Sequence, residues 1–177
     1  MVSDALKKEA QLLAQALFRS GAQLVLAESC TGGMAAAALT QNPGISKNFC
    51  GSAVVYQSET KTAWLKTSGK RIKTYSAESL ETSRALCSKV LKLTPQATLA
   101  GAVTGYLGPL DQKTGVIFVA CARRLSARKV IHFEKQIRFQ RRRGATERIL
   151  MQQLASKALL RMVRQMLSDT LRQPRGN

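Results

Sequence analysis

Apolar residues recur at steps of three and four near both ends of the chain, which is the spacing of a helix with one buried face. One stripe covers residues 6–18, so the sequence predicts a helix that begins near Ser3 and ends at Gly21. Another stripe covers residues 149–167 and predicts a long amphipathic helix. Between them, shorter helices are predicted at residues 34–40, at 58–65 and, with Ser76 as its N-cap, through Leu93.

Five short segments have the composition of strands, and the predicted strands are residues 23–27, 52–56, 99–103, 116–121 and 129–137. The third is predicted to close at Thr104 and Gly105, and a loop is predicted around residues 68–70. Strands and helices alternate in the first half, and strands then follow one another before the last helix. This order predicts an α/β fold, a three-layer α/β/α sandwich with a mixed sheet. The length predicts one domain over residues 1–170 and a flexible tail over 171–177.

Positive charge is concentrated in the second half of the chain. The 28 Lys and Arg residues exceed the 10 Asp and Glu residues, which gives a formal net charge of +18. A surface of this kind attracts nucleic acids and phosphorylated small molecules. A solvated basic face without a binding role explains the composition equally well, so both interpretations stay open at this point.

The cysteines are far apart in the sequence and form no C-x-x-C pair, at Cys30, Cys50, Cys87 and Cys121. With a single histidine, His132, they do not have the spacing of zinc ligands. The N-terminus carries charged residues and no apolar signal core, and no apolar run approaches membrane-spanning length. We therefore expect a cytoplasmic protein with free thiols, without a metal and without a membrane partner.

A run of small polar residues and glycines, from Ser29 to Gly33, follows the first predicted strand. Ligands of α/β sheets lie beyond the carboxyl ends of strands, and glycines let the backbone approach them closely. The next predicted helix would offer free N–H groups and a positive dipole end to an anion. We therefore expect an anion here, near the hydroxyls of Ser29 and Thr31. The alternative is a tight turn with capping hydroxyls.

Residues 27–33, Ala-Glu-Ser-Cys-Thr-Gly-Gly, match the signature of the CinA C-terminal domain, the family of nicotinamide-nucleotide amidases, without a mismatch. Weaker matches follow in the family's order over almost the whole chain, at residues 43–46, 49–61, 103–109, 115–116 and 139–143. The chain thus resembles this family. The resemblance implies hydrolysis of nicotinamide mononucleotide to nicotinate mononucleotide and ammonia, in pyridine nucleotide salvage for NAD. It also implies no cofactor and a homo-oligomer. From the length of the chain we expect that the larger N-terminal domain of full CinA proteins is absent.

The resemblance also assigns roles to individual residues. It implies Ser29 as the nucleophile, Lys61 as its base if the lysine pKa is lowered, and Tyr56 as a proton relay or an orienting group for the amide. Arg143 is the first choice for the substrate phosphate, because a guanidinium can bind phosphate with two hydrogen bonds. The other implied substrate contacts are Thr31, Gly32, Gly33, Thr104, Gly105 and Ser46, the last in its own subunit's pocket or in that of a neighbouring subunit.

The chain departs from the family pattern around the implied pocket. The loop after Gly105 is shortened and has lost glycines, Tyr106 and Leu107 are bulkier than the usual pair, and Arg141 replaces a glycine. Gln57 and Ser58 replace the usual Ser-Asn pair. These changes leave two alternatives to the amidase, a nucleotide-binding relative without catalysis and a nucleic-acid-binding protein that uses the basic second half. Cys30 is interpreted as a packing residue rather than a rival nucleophile.

Overall fold

The structure is a computed structural model that describes residues 2–108, 113–140 and 147–172. Its helices and strands alternate through the first part of the chain, and the last helix follows an antiparallel pair of strands. In chain order the elements are α1 (Asp4–Ser20), β1 (Leu24–Glu28), α2 (Met34–Thr40), a short 3-10 helix (Ile45–Lys47), β2 (Phe49–Val54), α3 (Ser58–Leu65), α4 (Gly69–Tyr75), α5 (Leu80–Leu93), β3 (Leu99–Tyr106), β4 (Val116–Arg124), β5 (Val130–Arg138) and α6 (Glu147–Arg172).

The strands form a single five-stranded sheet in the order β2-β1-β3-β4-β5. Strand β1 is parallel to both of its neighbours, β2 and β3. Strands β4 and β5 are added in antiparallel orientation at one side. Parallel neighbours require crossover connections, and the helices between β1, β2 and β3 supply them. The predicted mixed sheet is therefore confirmed.

Helices cover both faces of this sheet. Helices α1, α2 and α6 pack on one face, and α5 packs with α3 and α4 on the other. Every residue of β1 is buried, as expected for a central strand that is covered on both sides. Each face has its own apolar core, with leucines of α1 and α6 in one and side chains of α5 in the other. The predicted three-layer α/β/α sandwich is confirmed.

Glycine at position 101 allows α6 to lie close to the sheet. A Cβ atom on Gly101 would stand 2.7 Å from Val163 Cγ2 and 3.0 Å from Leu159 Cδ1. Both side chains come from α6, so this helix lies directly over β3 and next to β4. This placement leaves the edge strand β5 only partly covered by α6.

Two predictions around α5 were wrong. The segment predicted as a loop at residues 68–70 contains the start of α4, because the Ser68 hydroxyl accepts a hydrogen bond from Arg71 N at 3.3 Å and caps the helix. Helix α5 begins later than predicted, and Ser79 is its N-cap, with its hydroxyl accepting from Thr82 N at 3.1 Å. Ser76 has a φ of +79° and instead bonds the Tyr106 hydroxyl at 3.0 Å.

The ends of several other elements also differ from the prediction. Strand β2 covers Phe49–Val54 instead of residues 52–56, and β4 continues to Arg124 instead of ending at residue 121. Strand β3 continues through Thr104 and Gly105 to Tyr106, because β4 pairs with it along its whole length. Helix α6 continues to Arg172, two residues into the predicted tail. Residues 173–177 lie outside the described residues, and the predicted division into domain and tail stays a prediction. Within the described ranges, no helix is both long and apolar enough to cross a membrane.

Candidate active site

Ser29 lies directly beyond the carboxyl end of the central strand β1. Its backbone N–H donates to the carbonyl of Val103 on β3 at 3.1 Å, and its own carbonyl accepts from Gly32 N at 3.0 Å. Gly32 and Gly33 have φ values of +60° and +92°, which glycine adopts with little strain. The turn therefore fixes the Ser29 side chain at the edge where parallel strands end, and only 4% of the residue is exposed.

Lys61 reaches Ser29 from helix α3, which follows the neighbouring strand β2. Its side chain is fully buried, and Nζ donates to Ser29 Oγ at 3.1 Å and to the carbonyl oxygen of Tyr56 at 2.8 Å. Because β1 and β2 are parallel neighbours, the segments that follow them emerge at the same edge. The sheet thus brings together two residues that are far apart in the sequence, as the family resemblance implied.

Burial lowers the pKa of the Lys61 amine, because a charged ammonium is disfavoured away from water. The negative charge of Glu78 acts in the opposite direction and is the largest influence that raises this pKa. A lowered pKa increases the share of neutral amine near pH 7. The site therefore presents a hydroxyl in contact with an amine that can accept its proton.

Tyr56 contacts Lys61 through its backbone and not through its phenol. The phenol group is half exposed, and its oxygen accepts a hydrogen bond from Arg148 Nη2 at 2.6 Å. Arg148 Nη1 donates to the carbonyl of Leu107 at 3.2 Å. The backbone carbonyl of Tyr56 therefore orients the Lys61 amine, and its phenol oxygen holds the Arg148 guanidinium at the rim of the site.

The expected anion site at the start of α2 is occupied by the protein's own carboxylate, which corrects the sequence interpretation. Glu28 Oε2 accepts from the Thr31 hydroxyl at 2.8 Å and from Ala35 N at 3.0 Å. Its Oε1 accepts from Ala36 N and from the Ser52 hydroxyl, each at 3.0 Å. The N–H groups of Ala35 and Ala36 in the first turn of α2, which would attract a phosphate, are thus already bonded to the Glu28 carboxylate. The Thr31 hydroxyl is committed to the same carboxylate.

The other implied substrate residues lie in different surroundings. Thr104 is fully buried on β3, and its hydroxyl bonds that of Ser83 at 2.8 Å. A Cβ atom on Gly105 would stand 2.7 Å from the carbonyl of Val116, so this glycine permits close packing against β4. Gly32 and Gly33 line a surface cavity of about 360 Å³. Arg143 lies outside the described residues.

Ser46 lies at the opposite end of the parallel strands from Ser29. It is exposed on the 3-10 helix that precedes β2, and the first residue of β2, Phe49, pairs with the first residue of β1, Leu24. Ser29 follows the last residue of β1. A contact of Ser46 with substrate would therefore need a neighbouring subunit, and the homo-oligomer stays a prediction.

Four residues near Ser29 were missed by the sequence analysis, namely Glu28, Glu78, Arg148 and Gln152. Gln152 Nε2 donates to the carbonyl of Cys30 at 3.2 Å, and Arg148 lies one turn earlier on the same helix. Arg148 and Gln152 are four residues apart at the start of an apolar stripe, and this spacing could have predicted that they share one face of the helix. Glu28 was visible as part of the signature, but its contacts depend on the fold.

Cys30 does not have the properties of an activated nucleophile. Burial is the main cause that raises the pKa of its thiol, to about 12, so that it stays protonated near pH 7. A protonated thiol attacks poorly, whereas the Ser29 hydroxyl has a potential base in contact. Among the residues that the structure describes, no group of three His, Cys, Asp or Glu side chains is placed to hold a metal ion.

The site is thus a serine at a strand-turn-helix junction in contact with a lysine from the next crossover helix, and the sequence comparisons identify the family of the chain. The profile of the CinA C-terminal domain matches residues 6–167, so this chain belongs to the CinA C-terminal domain family. A CinA-like protein of Acidobacterium capsulatum is 32% identical over 161 residues, which cover 89% of this chain and 36% of that relative. A CinA-like protein of Myxococcus xanthus is 41% identical over 100 residues, 56% of this chain and 24% of the relative.

This chain spans only 24% to 36% of the length of these two curated relatives. Solved structures of similar size share its fold. The competence/damage inducible protein CihA from Agrobacterium tumefaciens has a TM-score of 0.81 and 26% identity, with 95% of this chain and 98% of that chain covered. The competence damage-inducible protein A from Klebsiella pneumoniae has a TM-score of 0.80 and 26% identity, with 92% and 97% covered.

Proposed function

We propose that this chain is an amidohydrolase that releases ammonia from the carboxamide of nicotinamide mononucleotide and forms nicotinate mononucleotide. The observation that carries the proposal is the 3.1 Å contact between Lys61 Nζ and Ser29 Oγ in a buried setting. Membership of the CinA C-terminal domain family agrees with an enzyme. A serine hydroxyl attacks an amide only when a base removes its proton, and a neutral lysine amine is an established base for serine.

The reaction follows from these two side chains in two halves. In the first half, the neutral Lys61 amine accepts the Ser29 proton while the serine oxygen attacks the carboxamide carbon. The resulting ammonium then donates a proton to the amide nitrogen, the carbon–nitrogen bond breaks, and ammonia leaves an ester on Ser29. In the second half, Lys61 accepts a proton from water, the hydroxyl attacks the ester, and nicotinate mononucleotide leaves as the serine recovers its proton.

Arg148 is a candidate for binding the phosphate of this substrate, beside Arg143. Its guanidinium lies at the rim of the site, where it donates to the Tyr56 hydroxyl at 2.6 Å. A guanidinium matches the geometry of a phosphate and can bind two of its oxygens at once. Tyr56 would then act as the support of the phosphate-binding group as well as of the Lys61 amine.

Ammonia release from nicotinamide mononucleotide by purified protein tests the proposal, together with two variants. Ser29→Ala removes the nucleophile, and Lys61→Met removes the base while keeping an unbranched apolar chain in the buried space. We expect both to lose turnover by about 10³-fold or more while they stay folded by circular dichroism. Lys70→Met, on the exposed surface of α4, is the matched control and should keep full activity.

Two outcomes would contradict the amidase. Unchanged turnover in Ser29→Ala would show that another group attacks the amide. Calorimetry that detects tight binding of the mononucleotide without any product over hours would favour the non-catalytic relative instead. That second candidate rests on the departures from the family pattern around the implied pocket, among them the bulky Tyr106.

A further inference from the structure

One face of the edge strand β5 is only partly covered by helix α6. Strand β5 is the last strand of the sheet, and α6 packs over β3 and β4 instead. The close approach of α6 at Gly101 fixes this offset, because it holds the helix over the sheet centre. The side chains of β5 that point toward α6 therefore form one wall of a trough, and the flank of α6 forms the other.

The trough consists of two neighbouring cavities, of about 420 Å³ and 430 Å³, that share Met162 and Gln165. On the β5 side it extends from Ile131 to Phe139, eight residue steps of roughly 3.3 Å, or about 26 Å. Its floor is apolar along this length, and the residues that form it are Ile131, Phe133, Ile137, Phe139, Leu154, Ala158, Met162 and Met166. An apolar channel of this length suits an extended chain better than a small ligand.

One half of the trough is positively charged. Lys135, Lys157 and Arg161 line it, and none of the described residues that line this half is acidic. Lys157 and Arg161 are four residues apart on α6, which places their Cβ atoms about 6 Å from each other on one helix face. The single carboxylate among the described residues of the trough, Asp169, lies in the other half. This arrangement attracts an anion whose charges repeat along its length.

The apolar floor adds a requirement that a simple polyanion does not meet. Phe133 is 54% exposed and lines the half of the trough that contains Asp169, two residues along β5 from Lys135 of the basic half. An aromatic side chain beside lysines and arginines is the combination that binds unpaired nucleotides, since bases stack on the ring while phosphates pair with the cations. A second copy that docked through the same surface would bring Lys135, Lys157 and Arg161 of both copies together, which like charges disfavour, so the predicted homo-oligomer would use another face.

We propose that the trough between β5 and α6 binds a single-stranded nucleic acid, with phosphates against Lys135, Lys157 and Arg161 and bases over Phe133. Its length accommodates about four nucleotides, at the lower end of the site sizes of single-strand-binding folds. The residues of the trough are separate from Ser29, Lys61 and their partners. Binding here is independent of the proposed hydrolysis and holds whether or not the chain is an amidase.

Fluorescence anisotropy with a labelled twelve-residue oligothymidylate, titrated with the full chain at several salt concentrations, tests this site. The variant Lys135→Gln/Lys157→Gln/Arg161→Gln should bind about 10²-fold more weakly, and its slope of log affinity against log salt should fall by about 2, since each phosphate contact contributes about 0.7. The control removes the same charge from exposed positions on α4 and α5, with Lys70→Gln/Lys73→Gln/Lys92→Gln. This control variant should retain most of the affinity for oligothymidylate and most of the slope of log affinity against log salt.

A second pair of variants separates stacking from charge. Phe133→Ala should weaken oligothymidylate binding by about tenfold without changing the salt slope, because it removes a stacking surface and no charge. Trp64→Ala, which removes a 63% exposed ring from α3, should have no effect. Equal losses in both charge triples, or competition by polyglutamate as effective as by oligothymidylate, would overturn the proposal. So would no binding by the unaltered chain near 0.1 M salt.

Discussion

At the scale of single residues, Lys61 determines what the candidate site can do. Its amine is held between two oxygen acceptors, the Ser29 hydroxyl and the Tyr56 carbonyl, inside a region without solvent contact. Burial lowers the pKa of this amine, and the charge of Glu78 opposes that effect. Glu78 is itself held by the Ser76 hydroxyl, which donates to its Oε2 at 3.3 Å. The protonation of the base thus depends on a carboxylate from the segment before α5.

If the proposed amidase reaction takes place, removing the charge of Glu78 should shift its pH dependence. In Glu78→Gln the pKa of Lys61 falls further, so the neutral amine persists to lower pH and the acidic limb of kcat/KM moves to lower pH. Measuring kcat/KM from pH 5 to pH 10 detects the shift, and Glu81→Gln, an exposed acid in the first turn of α5, is the control. A limb that stays in place, or that moves to higher pH, contradicts this role for Glu78.

At the scale of elements, the β1-turn-α2 unit is held together by one buried carboxylate. Glu28 is the last residue of β1, is fully buried, and accepts from two backbone N–H groups of α2 and two hydroxyls. Helix α2 is only seven residues long and contains four alanines, so its own packing area is small. The carboxylate therefore fixes the helix start, and with it the turn that carries Ser29.

Replacing this carboxylate by an amide should destabilise the fold. Both oxygens of Glu28 accept hydrogen bonds, so the NH₂ group of Glu28→Gln would face a donor on either side. We expect a loss of about 2–3 kcal/mol in the free energy of unfolding, measured by urea denaturation. Glu81→Gln, at an exposed helix start, should cost no more than about 1 kcal/mol. Equal costs in the two variants would show that the Glu28 contacts contribute little to stability.

At the scale of the whole molecule, the excess of positive charge opposes the compact state. With 28 basic and 10 acidic residues, there are too few carboxylates to pair with every cation. One ion pair, between Glu9 and Arg164 at 2.6 Å, joins α1 to α6. Repulsion among like charges destabilises a folded protein and is screened by salt. The same excess supplies the cations of the trough between β5 and α6.

Moderate salt should therefore stabilise this protein. Raising sodium chloride from 10 to 150 mM at pH 7 shortens the Debye length from about 30 Å to about 8 Å and weakens the net repulsion. We expect Tm to rise by about 2–4 °C, which corresponds to roughly 1 kcal/mol for a chain of this size. Differential scanning calorimetry without added nucleotide or nucleic acid measures it. A falling Tm would mean that ion pairs such as Glu9–Arg164 outweigh the repulsion.

The sequence alone determined the elements that local patterns encode. Helices α2 and α3 begin and end where the sequence predicted, because helix-favouring residues between clear breakers specify their own limits. The mixed sheet and three-layer order followed from the alternation of apolar strands and amphipathic helices. The seven-residue signature identified the family, and it singled out Ser29 as the candidate nucleophile.

The tertiary structure decided which donors meet which acceptors. Glu28 fills the start of α2, Ser83 takes the hydroxyl of Thr104, and Ser79 replaces Ser76 as the cap of α5. Periodicity shows that a side chain is buried but not which polar atom it faces, since that depends on strand order and on the offset of helices over the sheet. The Lys61–Ser29 contact and the partly covered face of β5 both arise from that arrangement, because parallel β1 and β2 share one edge and α6 lies over β3 and β4.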